Sequence, residues 1–526
     1  MNSQPTRYSL LAGLGFKALI VLMLLFTLNA TAQKKQSTQS SLAQLSAYYE
    51  KALKDWEVPG MAIAIVRNDS ILFQKGFGVL EVNKPEKVDE HTMFAIASNT
   101  KAYTAAALAI LVDEGKIKWD DPVVNYLPWF QLYDPYVTQN MKIRDLLCHR
   151  SGLETFSGDL LWYGSNYSRE EVIRRARFLK PKYGFREHFG YSNILFLTAG
   201  EIVHAVSGKS WDDFLAERIF TPLGMTRTNT SVSKLKNMDN VAQCHTDYEG
   251  KVISIPYLDW DNIGPAGSIN SCIADLSNWL KLQLNNGTYN EKVIFSRERS
   301  HDMWSAQTIQ NVTVGSEKMF PSTHFKAYAL GWGLNDYLGY KIVSHSGGYD
   351  GMTSYTCIVP EKKLGFIIVT NKNSSLFMPL AYRTLDVLLG GKEKDWSAFF
   401  LENIKKQAEF SKSQALEEEK ARAKDTKPTL DLAAYTGTYS GELYGNSVVE
   451  LKNGELTFSF IPAPKFNATL KHWHYDTFSF RFEAFPSLPQ GKVNFVLNQD
   501  GKVEEMRINV PNPDFDFTEL KFKKIK

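Results

Sequence analysis

The chain has 526 residues, 44% of them hydrophobic and 22% charged, a composition that is ordinary for a soluble globular protein of roughly two to four domains. Its 60 Lys and Arg against 57 Asp and Glu leave a net charge of +3. This balance, with no basic stripe in the sequence, argues against binding to nucleic acid.

The first 32 residues predict an export signal. Arg7 and Lys17 precede an apolar run over 18–28, and the Ala-Thr-Ala of 30–32 is an A-x-A cleavage site. The run is too short to span a membrane comfortably. An uncleaved signal anchor is the alternative, and it is the only contact with a membrane that we expect. The sequence therefore predicts an exported protein, periplasmic or extracellular.

Residues 33–392 predict one mixed α/β domain. A helix over 42–56 is followed by two apolar strands, MAIAIV and ILFQKGFG, which predict a hairpin. The middle of the chain predicts mostly helices, including a short one in MKIRDLLCHRSGL (141–153). Four strands then begin near Tyr328, namely YALGWGLN, YKIVSHSGG, MTSYTCIVP and KLGFIIVTN, and a helix over 376–389 follows them. Strands at both ends with helices between them indicate a single sheet that unites the two ends of the domain.

The rest of the chain predicts a linker and a second domain. Residues 393–427 are highly charged with weak apolar periodicity, which indicates a solvated linker helix that Pro428 ends. Residues 428–526 alternate polar and apolar side chains, with turn signals at Asn453-Gly454 and Asp500-Gly501. This pattern predicts a small antiparallel β-barrel or sandwich.

We expect neither a metal nor a cofactor. The four cysteines, Cys148, Cys244, Cys272 and Cys357, have no C-x-x-C spacing and do not cluster with His. Separate, partly buried thiols are expected, although a disulfide is possible in an exported protein. The sequence also lacks the H-E-x-x-H of metalloproteases and the G-x-S-x-G of α/β-hydrolases.

The stretch from Phe94 to Gly115, FAIASNTKAYTAAALAILVDEG, contains the first candidate catalytic pair. Ser98 and Lys101 are three residues apart, so on the first turn of a buried helix they share one face. A desolvated lysine can accept the serine proton, and free N–H groups at the helix start can stabilise an oxyanion. The alternative is that Ser98 is a helix N-cap. The same spacing also occurs at Ser231/Lys234 and Ser233/Lys236, without an apolar helix behind it.

Tyr191-Ser192-Asn193 is the second candidate motif. A tyrosine near a lysine can be partly ionised and can pass a proton between serine and leaving group. The asparagine amide can hold both the lysine and a substrate carbonyl. The alternative is a helix start with a packed tyrosine, and Y-x-N recurs at Tyr444 and Asn446.

His345-Ser346-Gly347-Gly348 is the third candidate motif, at the end of a predicted strand. The glycines let a substrate backbone approach and pair along the strand. The N–H of Gly348 could be a second oxyanion donor, and His345 could donate to substrate or transfer a proton. The alternative is a glycine bulge beside a structural histidine.

In this order, S-x-x-K, Y-x-N and H-x-G resemble the serine β-lactamase and penicillin-binding protein superfamily, and most closely its class C-like branch of D-aminopeptidases, DD-peptidases and esterases. The stretches LLCHRSGL (146–153), GPAGSINSCIADLSNWLKL (264–282) and GWGL (331–334) are also similar. The resemblance extends from about residue 42 to 390. The tail resembles the lipocalin-like β-domain that some of these hydrolases have.

The resemblance implies an antiparallel sheet flanked by helices and by an all-helical region. It also implies a role for each candidate residue: Ser98 is the acylated nucleophile, Lys101 its activating amine, Tyr191 the general base and acid, and Asn193 the contact to lysine and substrate amide, while His345, Gly347 and Gly348 form the edge strand of the site. The serine proton could go to Lys101 or to Tyr191.

The sequence thus predicts an exported serine hydrolase that cleaves an amide or ester, in a D-amino-acid peptide, a muropeptide or a small ester, without a cofactor. Many β-lactamases have a lysine where this chain has His345, which puts antibiotic hydrolysis in doubt. A true class C-type β-lactamase is one alternative, and a non-catalytic cell-wall or ligand-binding protein is another. The partner is a small-molecule or peptide substrate, and the oligomeric state is not predicted.

Overall fold

The structure is a computed structural model that describes residues 39–512 and 514–525. The export signal predicted over residues 1–32 therefore lies outside the described residues. Among the helices of the described part, none is long and apolar enough to cross a membrane.

An eight-stranded sheet is at the centre of the first domain, with short two-stranded pairs around it. In chain order, the strands of the large sheet and of the short pairs are β1 (Gly60–Arg67), β2 (Ser70–Gly78), β3 (Phe94–Ala95), β4 (Cys244–Tyr248), β5 (Lys251–Ile255), β6 (Asn270–Ser271), β7 (Thr288–Tyr289), β8 (Lys292–Val293), β9 (Thr308–Gln310), β10 (Lys326–Tyr328), β11 (Gly333–Tyr337), β12 (Tyr340–Tyr349), β13 (Met352–Val359) and β14 (Leu364–Thr370). The large sheet has the order β2-β1-β14-β13-β12-β11-β10-β9, and all its neighbours are antiparallel. Because β1 pairs with β14, the sheet unites the two ends of the domain, as predicted.

Both faces of this sheet are buried. Along β1, Ala62 and Ala64 belong to the core on one side, and Met61 and Ile63 to the core on the other. A strand covered on both faces is an unbroken apolar run rather than an alternating one, which is why MAIAIV contains no polar residue.

Helices cover the two faces. They are α1 (39–55), α2 (Thr100–Asp113), α3 (Pro135–Asn140), α4 (Ile143–Leu146), α5 (Arg169–Arg175), α6 (Asn193–Ser207), α7 (Trp211–Leu215), α8 (Thr221–Leu223), α9 (Val232–Leu235), α10 (Gly264–Gly267), α11 (Ile273–Leu284), α12 (Arg297–Met303), α13 (Val314–Met319) and α14 (Phe377–Leu389). Helices α1 and α14 pack on one face of the sheet, and α2, α6 and α11 contribute to the larger core on the other.

A long helix and a closed barrel complete the chain. Helix α15 (Trp396–Ala421) is exposed over most of its length, within the region predicted as a charged linker. Eight antiparallel strands then close the barrel: β15 (Gly437–Gly441), β16 (Gly445–Lys452), β17 (Glu455–Phe460), β18 (Asn467–His474), β19 (Thr477–Phe480), β20 (Gly491–Leu497), β21 (Val503–Asn509) and β22 (Lys521–Lys524). The mixed α/β domain and the small antiparallel barrel that the sequence predicts are thus both present.

The barrel packs directly on the first domain. Its aromatic side chains belong to the same continuous core as α2 and α6. At the contact, the ring of Phe515 lies 4.1 Å from that of Tyr163, and Phe485 lies 5.2 Å from the same ring. The two domains therefore share one apolar core, although the sequence suggests two separate units.

Some predicted elements differ in detail. YALGWGLN was expected as one strand, but it is β10, a break, and β11. Gly331 lies in the break with φ +78°, and a Cβ there would be 2.9 Å from the carbonyl oxygen of Lys101, so α2 occupies the space that a straight strand needs. The helix expected in 141–153 is only the four residues of α4. All four cysteines are free thiols, as predicted, but they are fully buried.

Candidate active site

Ser98 lies in a tight turn that leads into α2. Residues Ala97–Asn99 form a single 3₁₀ turn before α2, so Ser98 precedes the helix on whose first turn it was expected, and Phe94–Ala95 is the short strand β3 paired with β6. Ala97 has φ +47°, a left-handed conformation that costs a non-glycine residue about 1–3 kcal/mol. The backbone is therefore strained at the residue before the candidate nucleophile.

Hydrogen bonds to β13 fix this turn. The side-chain amide of Asn99 donates to the hydroxyl of Ser354 (2.7 Å), which donates to the carbonyl of Ile96 (2.6 Å). Both partners of Ser354 flank Ser98, so the sheet determines where the Ser98 side chain lies.

Lys101 is fully buried on the first turn of α2. Its ammonium nitrogen lies 3.0 Å from Ser98 Oγ, 2.7 Å from Asn193 Oδ1 and 2.9 Å from the carbonyl oxygen of Ala266. Burial lowers the pKa of Lys101 to about 7, although the carboxylate of Asp159 opposes this shift. A substantial fraction of the amine is therefore neutral near pH 7 and able to accept a proton.

Tyr191 faces the same space. Lys101 Nζ lies 4.8 Å from the centre of the Tyr191 ring, and the centre of the His149 ring lies 4.1 Å from it. Burial raises the pKa of the Tyr191 hydroxyl, and the nearby Ser98 hydroxyl only partly offsets this shift. The environment therefore keeps Tyr191 a neutral phenol, not the partly ionised one that the sequence suggested.

Asn193, at the start of α6, connects Lys101 to a residue that the sequence did not indicate. Its amide nitrogen donates to Asp159 Oδ2 at 2.6 Å, while its carbonyl oxygen accepts from Lys101. Burial raises the pKa of Asp159 to about 7, and Lys101 opposes this shift. Asp159 lies in a loop with no recognisable motif around it, so only its fold position places it in the site.

His345 lies in the site but both of its ring nitrogens are in use. Nδ1 lies 2.6 Å from the carbonyl oxygen of Ser346, and Nε2 lies 2.7 Å from the hydroxyl of Tyr328. A carbonyl only accepts, so Nδ1 carries the proton and Nε2 accepts from Tyr328. Burial lowers the pKa of His345 to about 3, so the ring is neutral. Its imidazole thus has no free nitrogen for a substrate in this arrangement.

The two glycines of the third motif have different surroundings. A Cβ on Gly347 would be 2.2 Å from the carbonyl oxygen of Ile96 and 3.0 Å from the amide nitrogen of Ser98, so β12 touches the turn that holds Ser98 there. A Cβ on Gly348 would meet open space. Of the two, Gly348 lines the cleft and Gly347 packs behind it.

One edge of β12 is free beside Ser98. Its pairing with β11 ends at Gly333 and Ser344, while its pairing with β13 continues to Tyr349 and Met352. An unpaired strand edge offers N–H and C=O groups to an extended substrate.

These residues open into a cleft of about 840 Å³. Most of its walls come from the first domain, with Ser98, Tyr191, Asn193 and His345 among them, but the barrel also contributes: Ser487, Leu488, Asn512, Asp514 and Phe515. The lining formed by the described residues includes no Lys or Arg, because Lys101 lies buried behind it.

The recurring copies of the motifs are elsewhere. Ser231 caps α9 by accepting from the amide of Ser233, and Tyr444 lies in the barrel. Among the described residues, no group of His, Cys, Asp and Glu is arranged to hold a metal ion.

Two family models match the chain. The β-lactamase model matches residues 45–389, and that of a domain of unknown function, DUF3471, matches residues 421–524. The first covers the sheet, the helices around it and every candidate site residue named from the sequence.

Curated and solved relatives agree with this match. Unguisins hydrolase ungD of Aspergillus violaceofuscus is 28% identical over 436 residues, which are 77% of this chain and 76% of that protein. Protein flp of Staphylococcus aureus, strain COL, is 28% identical over 374 residues, 70% of this chain and 71% of that protein. The octameric penicillin-binding protein homologue from Pyrococcus abyssi shares the fold, with a TM-score of 0.60 and 22% identity over 92% of this chain and 100% of that chain.

Proposed function

This chain belongs to the β-lactamase family of serine hydrolases, and we propose that it cleaves an amide or ester through an acyl-enzyme on Ser98. The observation that carries the proposal is the pair of Ser98, which lines an open cleft, and buried Lys101 behind it, 3.0 Å apart. A lysine whose pKa is lowered to about 7 can take a proton from a hydroxyl near neutral pH.

In the first half of the reaction, Ser98 Oγ attacks the substrate carbonyl carbon and its proton passes to neutral Lys101. We assign this proton to Lys101 rather than Tyr191, because burial raises the pKa of Tyr191 and keeps its phenol protonated. The N–H groups of Ser98 and Gly348 would stabilise the oxyanion, since the turn and β12 approach each other at Gly347.

Tyr191 then serves as the acid. Its neutral hydroxyl, close to Ser98, donates a proton to the leaving nitrogen or oxygen as the carbonyl–leaving-group bond breaks, and Lys101 returns a proton to the tyrosine. The acyl group stays on Ser98 Oγ. In the second half, water attacks this ester and gives a proton to Lys101. Tyr191 donates a proton to Ser98 Oγ as the ester bond breaks, which regenerates Ser98 and releases the acid.

The lining supports a peptide or ester substrate more than a β-lactam antibiotic. No lysine or arginine of the described residues lines the cleft, and His345 is neutral with both nitrogens occupied. A substrate carboxylate would find no cationic partner there. Similarity to two proteins named unguisins hydrolases also supports hydrolysis. The apolar run and A-x-A site of the first 32 residues support export.

Labelling by a fluorophosphonate tests the proposal. Ser98→Ala should abolish both turnover and labelling, because no other residue replaces its Oγ. Ser231→Ala is the matched control: it is in an S-x-x-K of the same spacing, but its hydroxyl caps α9, donates to Asp261 and does not line the cleft, so labelling should persist. Undiminished labelling of the Ser98→Ala protein would end the assignment.

A hydrolysis panel tests the substrate class. D- and L-peptides, p-nitrophenyl esters and nitrocefin should separate the possibilities, with nitrocefin the slowest. A preference for nitrocefin over every ester and peptide would contradict this order and favour a true β-lactamase.

A further inference from the structure

A carboxylate of the barrel reaches the loop that supports the catalytic lysine. Glu519, in the turn before β22, accepts hydrogen bonds from Ser157 Oγ (2.5 Å) and from the amide of Gly158 (2.9 Å), both in the first domain. A third bond, from the hydroxyl of Tyr444 (2.6 Å), connects the same carboxylate to the barrel itself. Glu519 therefore holds the two domains together at one point of that loop.

The loop at this point has a conformation that depends on glycine. Gly158 has φ +80°, and a Cβ there would lie 2.6 Å from a methyl group of Leu179 and 2.9 Å from one of Ile194. The next residue, Asp159, begins a 3₁₀ turn. Fixing the amide of Gly158 thus fixes the direction in which the chain enters Asp159.

From Asp159 a continuous series of hydrogen bonds leads to the nucleophile. Asp159 Oδ2 accepts from the Asn193 amide at 2.6 Å, Asn193 Oδ1 accepts from Lys101 at 2.7 Å, and Lys101 reaches Ser98 Oγ at 3.0 Å. A shift of the loop would therefore change the position of the lysine relative to the hydroxyl that it must deprotonate.

Docking the barrel through Glu519 carries the desolvation penalty of a charged group. Its carboxylate is largely buried, and its partners are uncharged donors, so none of the described cations forms an ion pair with it. Apolar residues could join the two domains at lower cost than a desolvated carboxylate. The contact of Glu519 with the residue before Asp159 gives a reason for this cost.

We propose that Glu519 is a positioning residue for the Ser98 site, through which the barrel fixes the loop of Ser157 and Gly158 and thereby the Asp159–Asn193–Lys101 hydrogen bonds. This inference rests on the proposed function, because it assigns Glu519 an effect on acylation. It makes the barrel part of the catalytic machinery as well as a wall of the cleft.

The charge of Glu519 gives the proposal a signature in the pH profile. Its negative charge contributes to the raised pKa of Asp159, and ionised Asp159 raises the pKa of Lys101. In Glu519→Gln, Asp159 ionises at lower pH and holds the Lys101 proton more firmly. The rise of the acylation rate with pH should therefore move to higher pH, a shift that loss of docking alone does not produce.

The test compares full-length variants by the rate of fluorophosphonate labelling across pH. Glu519→Ala, which removes all three bonds, and Ser157→Ala should each slow acylation, by roughly tenfold to a hundredfold for the Glu519 variant, as expected for a small misplacement of catalytic groups. The two effects should add less than fully in the double variant, because both remove the Ser157–Glu519 bond. Glu504→Gln, at an exposed carboxylate of β21, is the matched control and should label at the wild-type rate.

Deuterium exchange of the segment 156–163 gives a second measurement that needs no catalysis. Exchange should be faster in Glu519→Ala than in the control, because truncation removes the acceptor of the Gly158 amide. If Glu519→Ala does not fold, Ser157→Ala gives the decision alone. Wild-type rates, pH profile and exchange in the variants would overturn the positioning role and leave the Ser98 assignment intact. Failure of the wild-type protein to label at Ser98 would overturn both.

Discussion

The roles that we propose for Lys101 and Tyr191 differ because burial acts oppositely on an amine and a phenol. Desolvation disfavours the charged form of each, so the pKa of Lys101 falls to about 7 while that of Tyr191 rises. Near neutral pH the lysine is partly an unprotonated base and the tyrosine remains an acid. The same apolar surroundings thus prepare one group to take a proton and the other to give one.

The first prediction concerns pH. Below a pH of about 7 Lys101 is protonated and cannot accept from Ser98, so acylation should be lost as pH falls through that value and should reach a plateau above it. The rate constant of fluorophosphonate labelling between pH 5 and 9, roughly two units on each side, measures this. A rate that does not change over that interval would exclude Lys101 as the base.

The second prediction concerns Tyr191→Phe. It removes the hydroxyl that donates to the leaving group, so turnover of a peptide should fall by roughly 10²–10⁴, the usual contribution of a general acid or base. The midpoint of the pH profile should remain near that of Lys101. Tyr136→Phe, at an exposed tyrosine of α3, is the control. Full peptide turnover in Tyr191→Phe would remove its proposed role.

At this scale the sequence identifies the groups that belong to motifs. Ser98, Lys101, Tyr191 and Asn193 could be named because their spacing is distinctive and the four do meet around one pocket. Asp159 could not, because a single aspartate in a loop has no pattern and its contact with Asn193 depends on how the loop folds back. The sequence also could not show that both ring nitrogens of His345 are occupied, because one of them is bonded to Tyr328, whose position depends on the fold.

At the scale of elements, the contact between β12 and the turn that holds Ser98 is close because Gly347 has no side chain. The carbonyl of Ile96 lies where a Cβ would be, and Ser354 on β13 fixes the same carbonyl from the other side. Two strands and one turn thus approach within atomic contact beside the amides of Ser98 and Gly348, the oxyanion donors that we propose.

The third prediction uses the two adjacent glycines. Gly347→Ala should force β12 away from the turn, lowering the free energy of unfolding by about 1–3 kcal/mol, as overpacking typically does. Gly348→Ala should leave the stability nearly unchanged, since its Cβ enters the open cleft. Urea denaturation of both proteins measures the difference. Equal stabilities would contradict the close approach.

Strands and helices were predictable where each element buries a regular apolar pattern, as in β1, β13 and α14. The break at Gly331 was not, because its cause is the backbone of α2, more than 200 residues earlier in the chain (331 against 101). The 3₁₀ turn at Ser98 likewise depends on the pairing of β3 with β6.

At the scale of the molecule, the barrel and the first domain form one site. Alternation predicted the barrel strands, but the residues that meet the cleft lie in loops between them, where no periodicity indicates a partner. Their position could be known only from the packed structure, with Phe515 against Tyr163.

The fourth prediction tests this wall. Phe515→Ala should lower kcat/KM for substrates long enough to reach the barrel, by roughly tenfold for loss of a large aromatic contact, while labelling by a small fluorophosphonate stays unchanged. Phe410→Ala, on the exposed face of α15, is the matched control. Steady-state kinetics over a series of substrates of increasing length measures the effect. The same kcat/KM in wild type and Phe515→Ala for the longest substrate would show that the barrel does not contact it.

The order of strands in the large sheet also governs how the protein can be made. Met61 pairs with Thr370, so the nascent chain must leave the ribosome beyond β14 before β1 finds its second neighbour. Until then β1 and β2 form an isolated hairpin in which both faces of β1 are apolar and exposed. Such a hairpin is marginally stable and prone to aggregate. Folding of the hydrolase domain is therefore a late, long-range event, and a chain released early contains Ser98 without the strands that shape its pocket.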